Sequence, residues 1–234
     1  MGNSPLVNYT KISPNKTKLC NRKIDTITIH CVVGQCSIET LGNIFARESR
    51  RASSNYGIGP DGRIGMYVEE KDASWCSSNS ANDRRAITIE CASDTTHPYA
   101  INDKVYSSLV DLCADICIRN NIKELKWKAD KTLIGQTDKQ NLTVHRWFAN
   151  KSCPGDYIYE RLGQITKDVN TKIRQPFKVR VDIDDLNYRS KPSVKGIIKG
   201  QTGKGVFTIV EVSNGWGRLK SDAGWINLSY TTKV

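Results

Sequence analysis

The chain has no long apolar run, no cysteine beyond position 153, and only three histidines and two methionines in 234 residues. Apolar stretches last a few residues, whereas a membrane span needs roughly 20. The first thirty residues, opening MGNSPLVNYTKISPNK, lack the apolar segment of a secretory signal. Membrane-spanning and classically exported readings are therefore set aside. Also missing are a phosphate-cradling glycine loop, a GxSxG elbow, a convincing carboxylate pair and any nucleic-acid-binding motif. What is present is the profile of a folded domain, 38% apolar and 25% charged, with a net charge of +11. That charge predicts an anionic partner. It is spread along the chain rather than gathered on one helix or arm, which suits an extended acidic polymer better than a nucleic acid. The eight cysteines carry no mark of a small secreted scaffold, so most are expected to be reduced thiols.

Two segments differ in pattern. From about 24 to 173, strand-like and helix-like stretches alternate. In IDTITIHCVV, Ile27, Ile29, Cys31 and Val33 share one face and Thr28, His30 and Val32 the other. SIETLGNIFARESRRAS (37–53) reads as a helix capped by Ser37. RRAITIECAS (84–93) reads as a second buried strand, and LTVHRWF as a short extended run. Val105, Leu109, Leu112 and Ile116 follow Asn102 at helical spacing, as do Ile158, Leu162, Ile165 and Val169 nearer the end. The alternation predicts an α/β domain over 1–174, a mixed central sheet flanked by helices. Residues 175–234 instead hold about five short strand-like runs between Gly, Asn, Asp and Ser turns. They predict a small all-β barrel.

The histidines differ in setting. His30 ends a strand, expected to be exposed at the sheet's edge or in a cleft, and His145 lies in TVHRWF. Cys153 follows eight residues later in KSCPG. Two imidazoles and a thiolate on separate elements can make a three-ligand zinc site whose fourth tetrahedral position stays open for water. A lone histidine is more often an ordinary polar residue, so spacing by itself leaves this one reading among several. Cys31 makes a poor fourth ligand, because adjacent strand residues point to opposite faces. His97, in SDTTHPYA, reads as surface.

TITIHCV, SSNYGIGPDGRIGMYVEE, WCSSNSANDRRAITIE and TVHRWFANKSCPG stand in this order and together resemble the zinc-dependent N-acetylmuramoyl-L-alanine amidases of the peptidoglycan-recognition family. The tail motifs LNYRSKPS and NGWGRLKSDAGWI resemble a bacterial SH3-like cell-wall-binding domain. The pairing looks like a phage endolysin or a bacterial autolysin. The resemblance implies zinc on His30, His145 and Cys153, with Tyr56 and Lys151 as catalytic donors. It implies cleavage of the amide between N-acetylmuramic acid and L-alanine, with peptidoglycan as substrate and anionic wall polymers as a further partner. Trp75, Trp147 and Asn150 are expected to line the substrate groove. In the tail, Trp225 reads as core. One departure is that Arg-Trp-Phe follows His145, where some branches carry an Asp or a similar polar residue. Synthesis in the host cytoplasm, action on the wall after release, no membrane insertion and a monomeric state complete the expectation. The alternatives are a non-catalytic peptidoglycan-binding protein of the same fold and a cysteine peptidase fused to a wall-binding domain.

Overall fold

The computed structural model describes residues 2–234. Two short strands, β1 (Tyr9–Thr10) and β2 (Lys16–Thr17), precede β3 (Thr26–Cys31), helix α1 (Ile38–Phe45), β4 (Tyr56–Ile58), β5 (Ile64–Met66) and β6 (Ala73–Ser74). The one-turn helix α2 (Ser80–Asp83) leads into β7 (Ala86–Cys91) and the long helix α3 (Asp103–Arg119). Strand β8 (Leu142–Val144) and helix α4 (Asp156–Arg174) complete this part. Six strands form one mixed sheet in the order β1-β5-β4-β7-β3-β8, with β3 parallel to both β7 and β8. The expected α/β architecture is present.

The alternation of β3 divides the sheet into a dry face and a polar one. Ile27 and Ile29 register with Ile87 and Ile89 on β7 and with Leu142 and Val144 on β8. All six pack in one core with Leu109, Leu112 and Ile116 of α3 and Ile158, Leu162 and Ile165 of α4. Each buried aliphatic side chain of this kind contributes about 1.5–3 kcal/mol. On the other face Thr28, Thr88 and Thr143 are buried yet satisfied. The Thr28 and Thr143 hydroxyls lie 2.8 Å apart, and the Asn82 amide donates to Thr28 at 2.9 Å and accepts from Thr143 at 3.0 Å. This row ends in His30, directly opposite Glu90 of β7. A satisfied polar row on rigid central strands is a firm base for a site.

Local signals explain where helices begin. Ser37 accepts from the Thr40 amide and Asn102 from the Val105 amide, both as N-caps. The first helix is shorter than its 37–53 pattern suggested, because a 3-10 turn over Glu48–Arg50 and a left-handed Arg51 (φ 47°) redirect the chain. The run LTVHRWF also divides: only Leu142–Val144 is strand, and His145–Trp147 coils into a 3-10 turn.

The tail forms a sheet of seven strands rather than five: β9 (Phe177–Val181), β10 (Asn187–Arg189), β11 (Ile198–Gln201), β12 (Gly205–Ser213), β13 (Trp216–Leu219), β14 (Trp225–Asn227) and β15 (Thr232–Lys233). Val179, Val181, Ile209, Leu219 and Ile226 make its own small core. Trp225, expected in the core, is only partly buried, and Trp216 is buried. Among the described residues, no helix is long and apolar enough to cross a membrane.

Candidate active site

His30, His145 and Cys153 converge. Their ligand atoms all lie within 4.8 Å of one another, with His30 Nδ1 3.4 Å from Cys153 Sγ and the two imidazole centroids 5.0 Å apart. Central strand β3 fixes His30, which is fully buried rather than at an exposed edge. The 3-10 turn after β8 lifts His145 out of the strand line toward it. The Cys153 loop returns to that turn because the Arg146 amide donates to the Cys153 carbonyl at 3.0 Å and its guanidinium to the Ser152 carbonyl. Eight residues of separation thereby close into one pocket.

The donor set suits a soft divalent cation. Burial, then the neighbouring imidazole, pushes His30 down to about 3, and burial, then the Lys151 ammonium, lowers His145. Both rings are therefore neutral at pH 7 and keep free lone pairs. His30 Nε2 is buried without a hydrogen-bond partner. A hydrogen bond with the Cys31 thiol, then burial, pushes the Cys153 thiol up, so its negative form needs a cation beside it. Cys31 stands outside the three-residue cluster. Tetrahedral zinc on two imidazoles and a thiolate fits these residues.

Three further groups face the same place. Glu90, beside His30 on the neighbouring strand, belongs to an overlapping cluster with His30 and Cys76. Its Oε1 accepts from Cys76 Sγ at 3.8 Å, and its Oε2 is enclosed with no partner. Burial, then the Cys31 thiolate, pushes this carboxyl up to about 8. Ser78 Oγ lies 3.0 Å from His145 Nε2, carried by a residue in the left-handed region (φ 61°). Lys151 is exposed on the loop leading to Cys153, with its charge bearing on His145. Glu90 closes the motif WCSSNSANDRRAITIE yet is absent from the expected site residues. TITIHC and AITIEC are the same strand pattern with Glu in place of His, and they pair in register.

Tyr56 is a correction. It registers with Ile89, one residue out of step with the His30–Glu90 pair, and therefore points into the dry core. Its hydroxyl donates to Glu70 Oε1 at 2.7 Å and accepts from the Ser4 amide at 3.0 Å. Glu70 is in turn held by the Arg119 guanidinium at 2.6 and 2.8 Å. Tyr56 is thus a structural strut for the N-terminal segment. Tyr56→Phe is expected to leave turnover within about twofold while costing about 1–3 kcal/mol for polar groups left unpaired. Thermal unfolding and an initial-rate assay check this together; a large rate loss at unchanged stability would restore Tyr56 to the chemistry.

Trp147 is a second correction. It is buried and stacks on Trp127 at 4.9 Å with the rings 8° from parallel, because the 3-10 turn rotates it inward. Trp75 is 42% exposed and lines a cavity of about 360 Å³ that has His145 and Ser78 in its wall. Asn150 is exposed beside Lys151 but does not line that cavity. His97 is exposed, paired with Asp156 at 2.8 Å.

Residues 21–156 match the profile of the Amidase_2 family, N-acetylmuramoyl-L-alanine amidase. Among solved structures, Staphylococcus aureus hydrolase AmiA in complex with its ligand superposes with a TM-score of 0.52 at 18% identity, covering 74% of this chain and 84% of that one. The endolysine N-acetylmuramoyl-L-alanine amidase LysCS from Clostridium intestinale URNW gives a TM-score of 0.48 at 18% identity, over 70% of this chain and 93% of that one. No curated protein matches the sequence. The first of these likenesses supports the fold, and the family match spans more than half of the sequence. The chain belongs to the N-acetylmuramoyl-L-alanine amidase family.

Proposed function

We propose that the chain is a zinc hydrolase that opens the amide between N-acetylmuramic acid and L-alanine in bacterial peptidoglycan. The supporting observation is the convergence of two imidazoles and a thiol next to the buried Glu90 carboxyl. His30, His145 and Cys153 would hold the zinc, which when bound supplies Lewis acidity and lowers the pKa of water to about 7. Glu90 takes the proton of the attacking water and returns it to the L-alanine nitrogen as the C–N bond breaks. Ser78 orients the His145 ring through its hydrogen bond. The Lys151 ammonium is of the right type to stabilise the tetrahedral oxyanion. Trp75 offers an exposed aromatic wall to the substrate.

Residues 1–174 form the catalytic domain in this proposal, and 175–234 an SH3-like module that attaches the enzyme to the wall, where peptidoglycan and anionic wall polymers are the partners. Its excess of ten basic over five acidic residues suits such polymers. Action as an endolysin or autolysin, made in the host cytoplasm and released to the wall as a monomer, belongs to the same proposal. A binding protein that does not cut would have no use for an enclosed carboxyl with one oxygen unpartnered beside the donor set. The Cys153–His30 contact taken alone also suits a cysteine nucleophile.

Mass spectrometry of products from purified wall separates these readings. The expected products carry a new L-alanine amino terminus and an intact lactyl carboxylate, are lost on chelation and return with zinc. Cleavage at another bond, or activity blocked by thiol alkylation yet indifferent to chelators, rejects the proposal.

A further inference from the structure

Among the described residues, four buried side-chain polar atoms have no hydrogen-bond partner: Arg22 Nε, Arg146 Nε, His30 Nε2 and Glu90 Oε2. The first two belong to guanidinium groups and can only donate. The other two can offer a lone pair, and their side chains form one cluster with Cys76, in which a nitrogen, a sulfur and a carboxylate oxygen all lie within 4.8 Å of one another. Enclosed acceptors without a donor are rare, and two in one cluster mark a place left for a ligand. Sheet order sets this cluster on the far side of His30 from the other donors. His30 stands on β3 between β7, which carries Glu90 in register with it, and β8, whose following turn carries His145. Its Nδ1 meets Cys153 Sγ at 3.4 Å, which leaves Nε2 to spare. Cys76 is fixed through its backbone, because the Asp83 carboxylate accepts from the Cys76 and Ser77 amides at 3.1–3.2 Å. Its Sγ then lies 3.8 Å from Glu90 Oε1. Zinc bonds of about 2.3 Å to sulfur and about 2.1 Å to oxygen, at a tetrahedral angle, would set those two atoms about 3.6 Å apart. The pair is already spaced as two ligands of one ion.

We propose that His30, Cys76 and Glu90 form a second site for a soft divalent cation, weaker than the first, which silences the enzyme when zinc is in excess. Thiolate, imidazole and carboxylate together suit zinc and cadmium, whereas magnesium prefers six oxygens. Filling the site strips the thiol proton from Cys76 beside a carboxylate and, with the first ion in place, the Nε2 proton from the shared His30 ring. Both protons pass to solvent. The site therefore takes cation in excess and gives it up on dialysis. Once Glu90 is a ligand it can no longer carry a proton for the reaction. That silencing rests on the role proposed for Glu90 in the amidase reading, while the site itself rests on its three donors.

The test titrates the dialysed full chain, holding its first ion, with zinc, cadmium or magnesium. Bound metal is counted, the cadmium–thiolate bond is read by ultraviolet absorption, and wall cleavage is followed in parallel. Zinc and cadmium are each expected to add a second equivalent and magnesium none. Saturating zinc should slow cleavage roughly 100-fold, the scale of a lost acid–base group. Cys76→Ser removes the sulfur but keeps a hydroxyl that can donate to Glu90. It is expected to keep the first ion, bind no second, and hold its rate in excess zinc within about twofold, because an alcohol is a poor ligand for a soft ion. Glu90→Gln should likewise keep the first ion and lose the second. Absence of a second equivalent in the parent, or a second equivalent and thiolate absorption that survive Cys76→Ser, overturns the site. Uptake of the second ion with cleavage undiminished overturns the silencing. A second equivalent lost in both variants of a protein that cleaves no wall at any zinc level would leave the site standing and fail the amidase reading instead.

Discussion

Cys153→Ala is expected to remove bound zinc and wall lysis together. The substitution deletes the one sulfur of the donor set and leaves two neutral imidazoles, too few to retain the ion against solvent. The rate should fall by more than the roughly 100-fold that loss of an outer-sphere partner can cost. Elemental analysis is the direct check, because it reads the ion rather than the reaction. Thermal unfolding gives a second check: a ligand bound only to the native state raises its stability, so chelation should lower the melting temperature of the unaltered protein and leave that of the variant in place. A variant that keeps stoichiometric zinc and turnover would remove Cys153 from the site.

Glu90→Gln should separate chemistry from metal binding. The amide has nearly the shape of the carboxyl and can still accept from Cys76, yet it cannot carry a proton between water and the leaving nitrogen. Turnover is expected to drop by roughly 10²–10⁴-fold, the usual contribution of a positioned acid–base group. Zinc content and the melting temperature should stay close to those of the parent. Full activity in this variant would assign proton transfer elsewhere, with Lys151 next in position. Loss of zinc would instead mean that Glu90 belongs to the coordinating set, an outcome its overlap with His30 makes worth measuring.

Most of the frame was legible because it depends on local periodicity. The alternation in TITIHC and the four-three-four spacing in α3 and α4 each state which residues face the core, and the cap at Ser37 marks the start of α1. Assigning the site residues required more. Tyr56 lies on a strand whose alternation shows only that neighbouring side chains diverge; which of them shares a face with His30 depends on pairing with β7, and a shift of one residue reverses the answer. Trp147 was misplaced for a related reason. Its run looks extended, and the 3-10 turn that buries it forms only where the chain meets the Cys153 loop. Glu90 shows the opposite case, since two near-copies of one strand stand in the sequence and their parallel pairing places an acid beside an imidazole.

Helix α4 begins three residues after Cys153 and ends three before the tail's first strand. Its nineteen residues make a strut of about 28 Å, at 1.5 Å per residue. An enzyme anchored through its tail would then work at a fixed standoff, reaching bonds about one helix length from its foothold and sparing those directly beneath. Under the proposed wall attachment, erosion of a continuous mesh would require repeated detachment, and a tail that gripped too tightly would slow the enzyme.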